Sequence, residues 1–307
     1  MARLRREGTV RPIAPFDFDQ ALDFIVTFPP MHGEQVVSEK SLKRAAWASK
    51  TPVAVKLSAT GTVEEPELRY EFHTDDPLSE ADAAALVRRV ETYLSVNDDL
   101  HRFYELIDSD PPFVTVKREL YGYHQVKFLT PFENACWTIL SQRNLLAIAQ
   151  HMKRTMIQEF SAAVEFDGMQ YWPFPGAKAV VQASVEDLTG LLRNSRRAKH
   201  IHGAAAAFSE VDEAFLREGP YDEVSRWLCG IPGVGTWSAA LIMIRSLGRM
   251  ERIPYGDRSL MHIAGHVYGD GQPLPAEELQ RLADHYGDLQ GYWAHYLRVA
   301  GRVVLTP

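Results

Sequence analysis

The segment that most constrains this chain is Leu228-Cys229-Gly230-Ile231-Pro232-Gly233-Val234-Gly235-Thr236-Trp237, set between two stretches of helical text, YDEVSRWL and WSAALIMIRSLG. Glycine and proline stop the first helix and apolar periodicity resumes at once, so two helices must be joined by a tight hairpin. Gly233 and Gly235 supply conformations and clearance that side chains forbid. The hairpin N–H groups and the N-terminus of the following helix can therefore approach a phosphate closely. A helix C-cap followed by a purely structural turn would use glycine equally well, so both readings stand at this point.

Past Trp237 comes Ile253-Pro254-Tyr255-Gly256-Asp257-Arg258-Ser259-Leu260, in which Asp257 precedes the apolar-periodic text SLMHIAGHVYG. Taken alone, Asp257 reads as the N-cap of that helix.

The 307 residues, 46% of them hydrophobic, suffice for a substantial core and suggest about two domains. No stretch approaches the roughly 20 apolar residues needed to span a bilayer, and the opening MARLRREGTV has no hydrophobic segment behind its charges, so a cytoplasmic location is expected. Two cysteines, Cys136 and Cys229, cannot build a disulfide framework, a four-cysteine zinc site or a cysteine-ligated iron–sulfur cluster, and read as buried thiols. A net charge of −7 weighs against nucleic acid on average. Local clusters such as Arg193, Arg196, Arg197, Lys199 and His200, or Arg143, Lys153 and Arg154, can still form a basic groove, although such runs also serve as solvated helix faces.

Along the chain, VAVKLSATGTVEEPELRYEFH from Val53 to His73 alternates in the manner of an antiparallel hairpin. After Ser79, a candidate N-cap, Ala83, Leu86, Val90 and Leu94 fall at helical spacing, and that helix would pack across the sheet. Beyond Asp110-Pro111-Pro112 the text becomes a series of helices with short connections, essentially all α. The expected organisation is α+β: a loose tail over 1–10, an antiparallel-sheet domain over 11–111, and a helical domain in two lobes over 112–307.

Hairpin, apolar helix, short connection and Pro-x-x-Asp in this order resemble the helix-hairpin-helix DNA glycosylases. Within them the resemblance is strongest to the bacterial inducible 3-methyladenine (AlkA-type) enzymes. It extends over most of the chain: TPFENACWTILSQRN is similar to that family's Pro-Phe-Glu helix and Ser/Gly-Gln loop, and the first third to its TBP-like N-terminal domain. The resemblance implies a DNA glycosylase that flips a damaged base out of duplex DNA and hydrolyses its N-glycosidic bond. Asp257 falls on the catalytic aspartate. Trp237 stands where bifunctional members carry a Schiff-base lysine, which implies base removal without strand cleavage. For the base pocket it implies Trp237 and Phe24, with Tyr255 and Trp293 as further candidates by motif proximity; ordinary packing explains those two equally well.

For the DNA backbone the resemblance implies the hairpin residues Ile231, Gly233, Val234, Gly235 and Thr236, with Gln142 and Arg143 in the loop that carries the family's apolar wedge. Arg143 is a departure there: it either fills the vacancy left by the flipped base or contacts phosphate. In two further departures, Leu241 replaces a pocket tyrosine and Arg302 falls where a late tryptophan is expected. The carbonyls of Cys229, Ile231 and Val234 would hold Na⁺ or K⁺; no other cofactor is implied. The expected partner is duplex DNA containing damaged bases, approached by a monomer.

One carboxylate suffices for such a reaction when the base is already cationic and leaves well, and aromatic faces would attract that cation. Three other readings are open: a non-catalytic DNA-binding hairpin protein, a monofunctional glycosylase for oxidised, deaminated or mismatched bases, and a small-molecule enzyme. His262, His266, His285 and His295 show no zinc-ligand spacing that would favour the last.

Overall fold

The computed structural model describes residues 4–304, with side chains through residue 301. Its first element is already a strand. β1 (Leu4–Val10), β2 (Gln35–Ser38), β3 (Ser41–Ala48), β4 (Thr51–Ala59) and β5 (Leu68–Thr74) form an antiparallel sheet in the order β1-β5-β4-β3-β2. The expected hairpin is β4–β5, with Val55 opposite Phe72 and Leu57 opposite Tyr70. The loose tail is corrected. Leu4–Val10 pairs residue by residue with β5, its side chains mostly exposed apart from Val10, so the alternation that marks a half-buried strand is missing. Residues 1–3 of that expected tail lie outside the described residues.

α1 (Phe18–Thr27) precedes β2 and was not marked by the sequence pattern, although Asp17 caps it by accepting from the Asp19 and Gln20 N–H groups. α2 (Glu80–Leu94) is the expected helix: Ser79 accepts from the Asp82 N–H, and Ala83, Leu86, Val90 and Leu94 are buried, the helix lying over β3.

The helical remainder runs through α3 (His101–Asp108), α4 (Val114–Glu119), α5 (Pro131–Ser141), α6 (Leu146–Phe160), α7 (Ala177–Val180), α8 (Val185–Leu192), α9 (Ser195–Glu210), α10 (Glu213–Glu218), α11 (Tyr221–Cys229), α12 (Thr236–Ile242), α13 (Arg258–Tyr268), α14 (Ala276–Asp284) and α15 (Gln290–Val304). It is not all α. β6 (Val164–Phe166) and β7 (Met169–Tyr171) form a hairpin whose Val164, Phe166 and Tyr171 cover Ala45 and Ala54 of the sheet. Three-residue strands around Asp167-Gly168 are too short for periodicity to announce them.

Residue 111 marks no gap in packing. One buried apolar cluster runs from Val10 through Phe113 to Ala300, and α3 meets α15 through a Tyr104–Tyr296 hydroxyl contact of 3.1 Å. Through this shared core, α1 reaches the helices that follow the glycine hairpin.

Candidate active site

The hairpin forms as its sequence requires. α11 ends at Cys229, and Gly233 takes φ +88°, a left-handed value that disfavours any side chain. A Cβ there would also come within 2.4 Å of Nδ1 of His200, so the position excludes alanine on two counts. Gly235 is the N-cap of α12, with no side chain closing the first-turn N–H groups. Ile231 and Val234 turn their side chains inward, whereas Gly235 and Thr236 are exposed.

Two of the noted loops meet here. Gln142 donates from Nε2 to the Gly233 carbonyl at 2.7 Å, and Arg197 of α9 donates to the Gln142 carbonyl at 2.7 Å. The basic run on α9 thus lies against the hairpin. Arg143, beside Gln142, is exposed and left-handed at φ +47°, and Leu145, 72% exposed, follows it. Lys153, grouped by sequence with Arg143, is elsewhere. It is buried between Glu34 and Glu133, with Nζ contacts of 2.6 and 2.8 Å, and is no part of a basic surface.

Asp257 is both a helix cap and the centre of a polar cluster. Its Oδ1 accepts the Leu260 N–H at 3.0 Å; its Oδ2 accepts from Trp237 Nε1 and from Arg298 Nη2, each at 2.6 Å. Burial opposes ionisation of this carboxyl, but the charge of Arg298 and the three donors outweigh it and hold the group below its ordinary value. A buried carboxylate is therefore kept ionised at neutral pH. Arg298, which faces Asp257 from α15, carries no motif and was missed in the sequence; only the fold brings it across.

Trp237 and Arg298 border a cavity of about 200 Å³. Phe24 and Phe28 come from the first third of the chain, Phe128 and Trp137 from around α5, and Leu241, Ile244 and Arg245 from the helix after the hairpin. Phe24, Trp237 and Leu241 therefore converge as expected. Tyr255 and Trp293 do not. Tyr255 is 66% exposed on the loop before Asp257, and Trp293 is fully buried, donating Nε1 to the Tyr268 hydroxyl at 2.8 Å within an aromatic cluster. Motif proximity gave no information on which face of its helix each ring would occupy. The side chain of Arg302 lies outside the described residues. Cys136 is buried as expected, while Cys229 is only half-buried.

Arg245 is the other residue without a motif. α12 passes at Met243 into a π-helical stretch, Met243–Leu247, ended by Gly248 at φ +74°. Asn134 of α5 braces this stretch, donating to the Leu241 carbonyl and the Ser246 hydroxyl, both at 3.3 Å. Arg245 stands within it, its guanidinium over the rings of Phe24 and Phe28 at 4.8 and 4.6 Å.

The chain is 23% identical over 244 residues to a DNA-3-methyladenine glycosylase of Bacillus subtilis, covering 78% of this chain and 80% of that protein. The structure matches a 3-methyladenine DNA-glycosylase from Archaeoglobus fulgidus with a TM-score of 0.82 at 21% identity, over 98% of this chain and all of the other. It matches a Clostridium acetobutylicum 8-oxoguanine glycosylase/lyase, solved with double-stranded DNA, with a TM-score of 0.72 at 15% identity over 98% of each chain. The chain has the fold of these DNA glycosylases. No protein-family model matches it. No helix among the described residues is long and apolar enough to cross a membrane.

Proposed function

We propose that this protein is a monofunctional DNA glycosylase that hydrolyses the N-glycosidic bond of damaged, alkylated bases in duplex DNA, with Asp257 as its catalytic residue. The observation that carries this reading is a buried carboxylate held ionised by Arg298 and Trp237 beside an aromatic-lined cavity, within reach of a glycine hairpin. The similarity to named 3-methyladenine glycosylases supports the choice of alkylated bases.

The hairpin from Ile231 to Thr236 meets the DNA backbone without reading its sequence; the Ile231 and Val234 N–H groups are spent on the Leu228 and Ile231 carbonyls, so those of Gly233, Gly235 and Thr236 are the donors that hold phosphate. The target nucleotide leaves the stack at a cost of a few kcal/mol, less for a damaged or mispaired base. Arg143, at the exposed turn clamped to the hairpin by Gln142, fills the vacancy. As the C–N bond lengthens, positive charge grows on the sugar, and the Asp257 carboxylate stabilises it and orients the attacking water.

Strand cleavage by Schiff-base chemistry needs an amine. By the resemblance Trp237 stands where bifunctional enzymes carry that amine, and the absence of lysine among the described residues lining the cavity supports the monofunctional reading. At the hairpin, the Ile231 carbonyl accepts the Val234 N–H at 3.0 Å and keeps a second lone pair. With the carbonyls of Cys229 and Val234 it would hold a monovalent cation and stiffen the turn. The protein would work as a cytoplasmic monomer and use no other cofactor.

The test is release of free bases from alkylated genomic DNA, with strand breaks scored before and after alkali. Released alkylbases with breaks only after alkali support the assignment. Breaks before alkali would contradict the monofunctional part, and binding without release would support a non-catalytic hairpin protein.

A further inference from the structure

Resting on the glycosylase reading, we propose that Arg245 sets the specificity of the pocket, favouring neutral lesions that present hydrogen-bond acceptors over cationic N-alkylated purines. The chemical class meant is a neutral purine with an oxo group or ring nitrogen on its exposed edge, such as hypoxanthine or the exocyclic alkylation product 1,N6-ethenoadenine.

An aromatic cavity attracts a cationic base because ring faces carry negative potential. In this cavity a cation already lies over two of the lining rings, Phe24 and Phe28. Phe24 and Phe28 stack on each other at 4.9 Å, and the Arg245 guanidinium lies over both. The guanidinium is fixed there from two sides. Its Nη1 is 2.9 Å from Nδ1 of His295, whose Nε2 is 2.9 Å from the Tyr123 hydroxyl. The π-helical winding of Met243–Leu247 supplies the backbone from which Arg245 reaches this position, and such local widening of a helix is common at functional sites.

The charge of the cavity points the same way. Among the described residues lining it, Arg245 and Arg298 are cationic and none is a carboxylate. The carboxylate that adjoins it, Asp257, is already bound to Arg298 at 2.6 Å. A cationic base would enter beside two guanidinium groups, whereas an oxo group or unprotonated ring nitrogen would meet donors.

Arg245 also suits the harder leaving group. When a neutral base departs, the C1′–N bond breaks with its electron pair going to the base, which becomes anionic. The oxygen of water bonds to C1′, and the proton that water loses balances the one the base gains. A guanidinium at the base edge stabilises that developing negative charge; a base already cationic gains nothing from it.

The experiment measures single-turnover release from duplexes carrying one 7-methylguanine, one hypoxanthine or one 1,N6-ethenoadenine, each rate divided by the spontaneous rate for that base. Wild type is compared with Arg245→Met, which keeps apolar contact with the rings, and with Arg245→Lys. We expect wild type to enhance release of the neutral bases more than that of 7-methylguanine, and Arg245→Met to lower the neutral-to-cationic ratio about tenfold or more, with Lys between. An unchanged ratio in a folded Arg245→Met protein would overturn the proposal. So would a wild-type enzyme that enhances 7-methylguanine release most, a result that needs no variant to fold. Release of none of these bases, nor of any base from alkylated DNA, would instead overturn the glycosylase reading.

Discussion

The Glu34–Lys153–Glu133 cluster and the Asp257–Arg298 pair both join carboxylates to a cation, and their surroundings differ. Glu34, Lys153 and Glu133 are sealed between α5, α6 and the segment after Pro30, with Lys153 Nζ also donating to the Pro30 carbonyl at 2.8 Å. Asp257 and Arg298 form a single pair beside a cavity, with the Arg298 side chain 29% exposed. In the first cluster burial raises the Glu34 pKa even against the Lys153 charge, whereas in the second Arg298 and the N–H donors keep Asp257 low despite burial. Burial and charge pairing therefore do not by themselves mark chemistry; access to a cavity does.

Substitution of Lys153 breaks this comparison most sharply. Lys153→Met leaves two buried carboxylates without their cation and should cost about 3–5 kcal/mol of stability. Chemical denaturation measures this, and activity per folded molecule should stay near wild type. A variant as stable as wild type would show that Lys153 does not hold these elements together.

Arg298→Ala sharpens the other side. With the largest favourable influence on Asp257 removed and burial left unopposed by that charge, its pKa rises, and the acid limb of the pH–rate profile should move to higher pH. The sign follows from linkage. A folded pKa below the unfolded one contributes stability above the unfolded value, and this is lost as pH falls through the folded one. Arg298→Ala should therefore also lose part of the stability that wild type gains above pH ~4. An unmoved acid limb would mean that Arg298 does not tune Asp257.

The other side-chain donor to Oδ2 is tested by Trp237→Phe, which keeps an aromatic wall but removes the 2.6 Å N–H bond. Loss of one hydrogen bond to a charged group is worth about 1.5–3 kcal/mol, and single-turnover rates should fall accordingly, with DNA affinity little changed.

The legibility of the site in the sequence follows the same division. The hairpin and the Asp257 cap were legible because turn chemistry encodes them, whereas Trp237 was assigned to the pocket by the family resemblance. The β4–β5 pairing and the α2 face were legible from periodicity. Arg298 and Arg245 were not, because each meets its partner only across the fold: Arg298 spans 41 residues to Asp257, and Arg245 meets rings from α1 and the turn after it. Tyr255 and Trp293 were drawn toward the pocket by proximity to motifs, yet one faces solvent and the other joins the core. Lys153 looked like part of a basic run until its two buried carboxylates were placed beside it.

The central claim is that Asp257 performs chemistry and does not merely cap α13. Asparagine caps a helix about as well as aspartate, so Asp257→Asn separates the roles. Single-turnover base release from alkylated duplex DNA, measured alongside thermal unfolding, tests this most directly. The account predicts a cooperatively folded protein whose melting temperature falls only by what the lost charge pair with Arg298 contributes, and a rate lower by about 10²–10³-fold or more. A folded Asp257→Asn enzyme releasing base at the wild-type rate would contradict it.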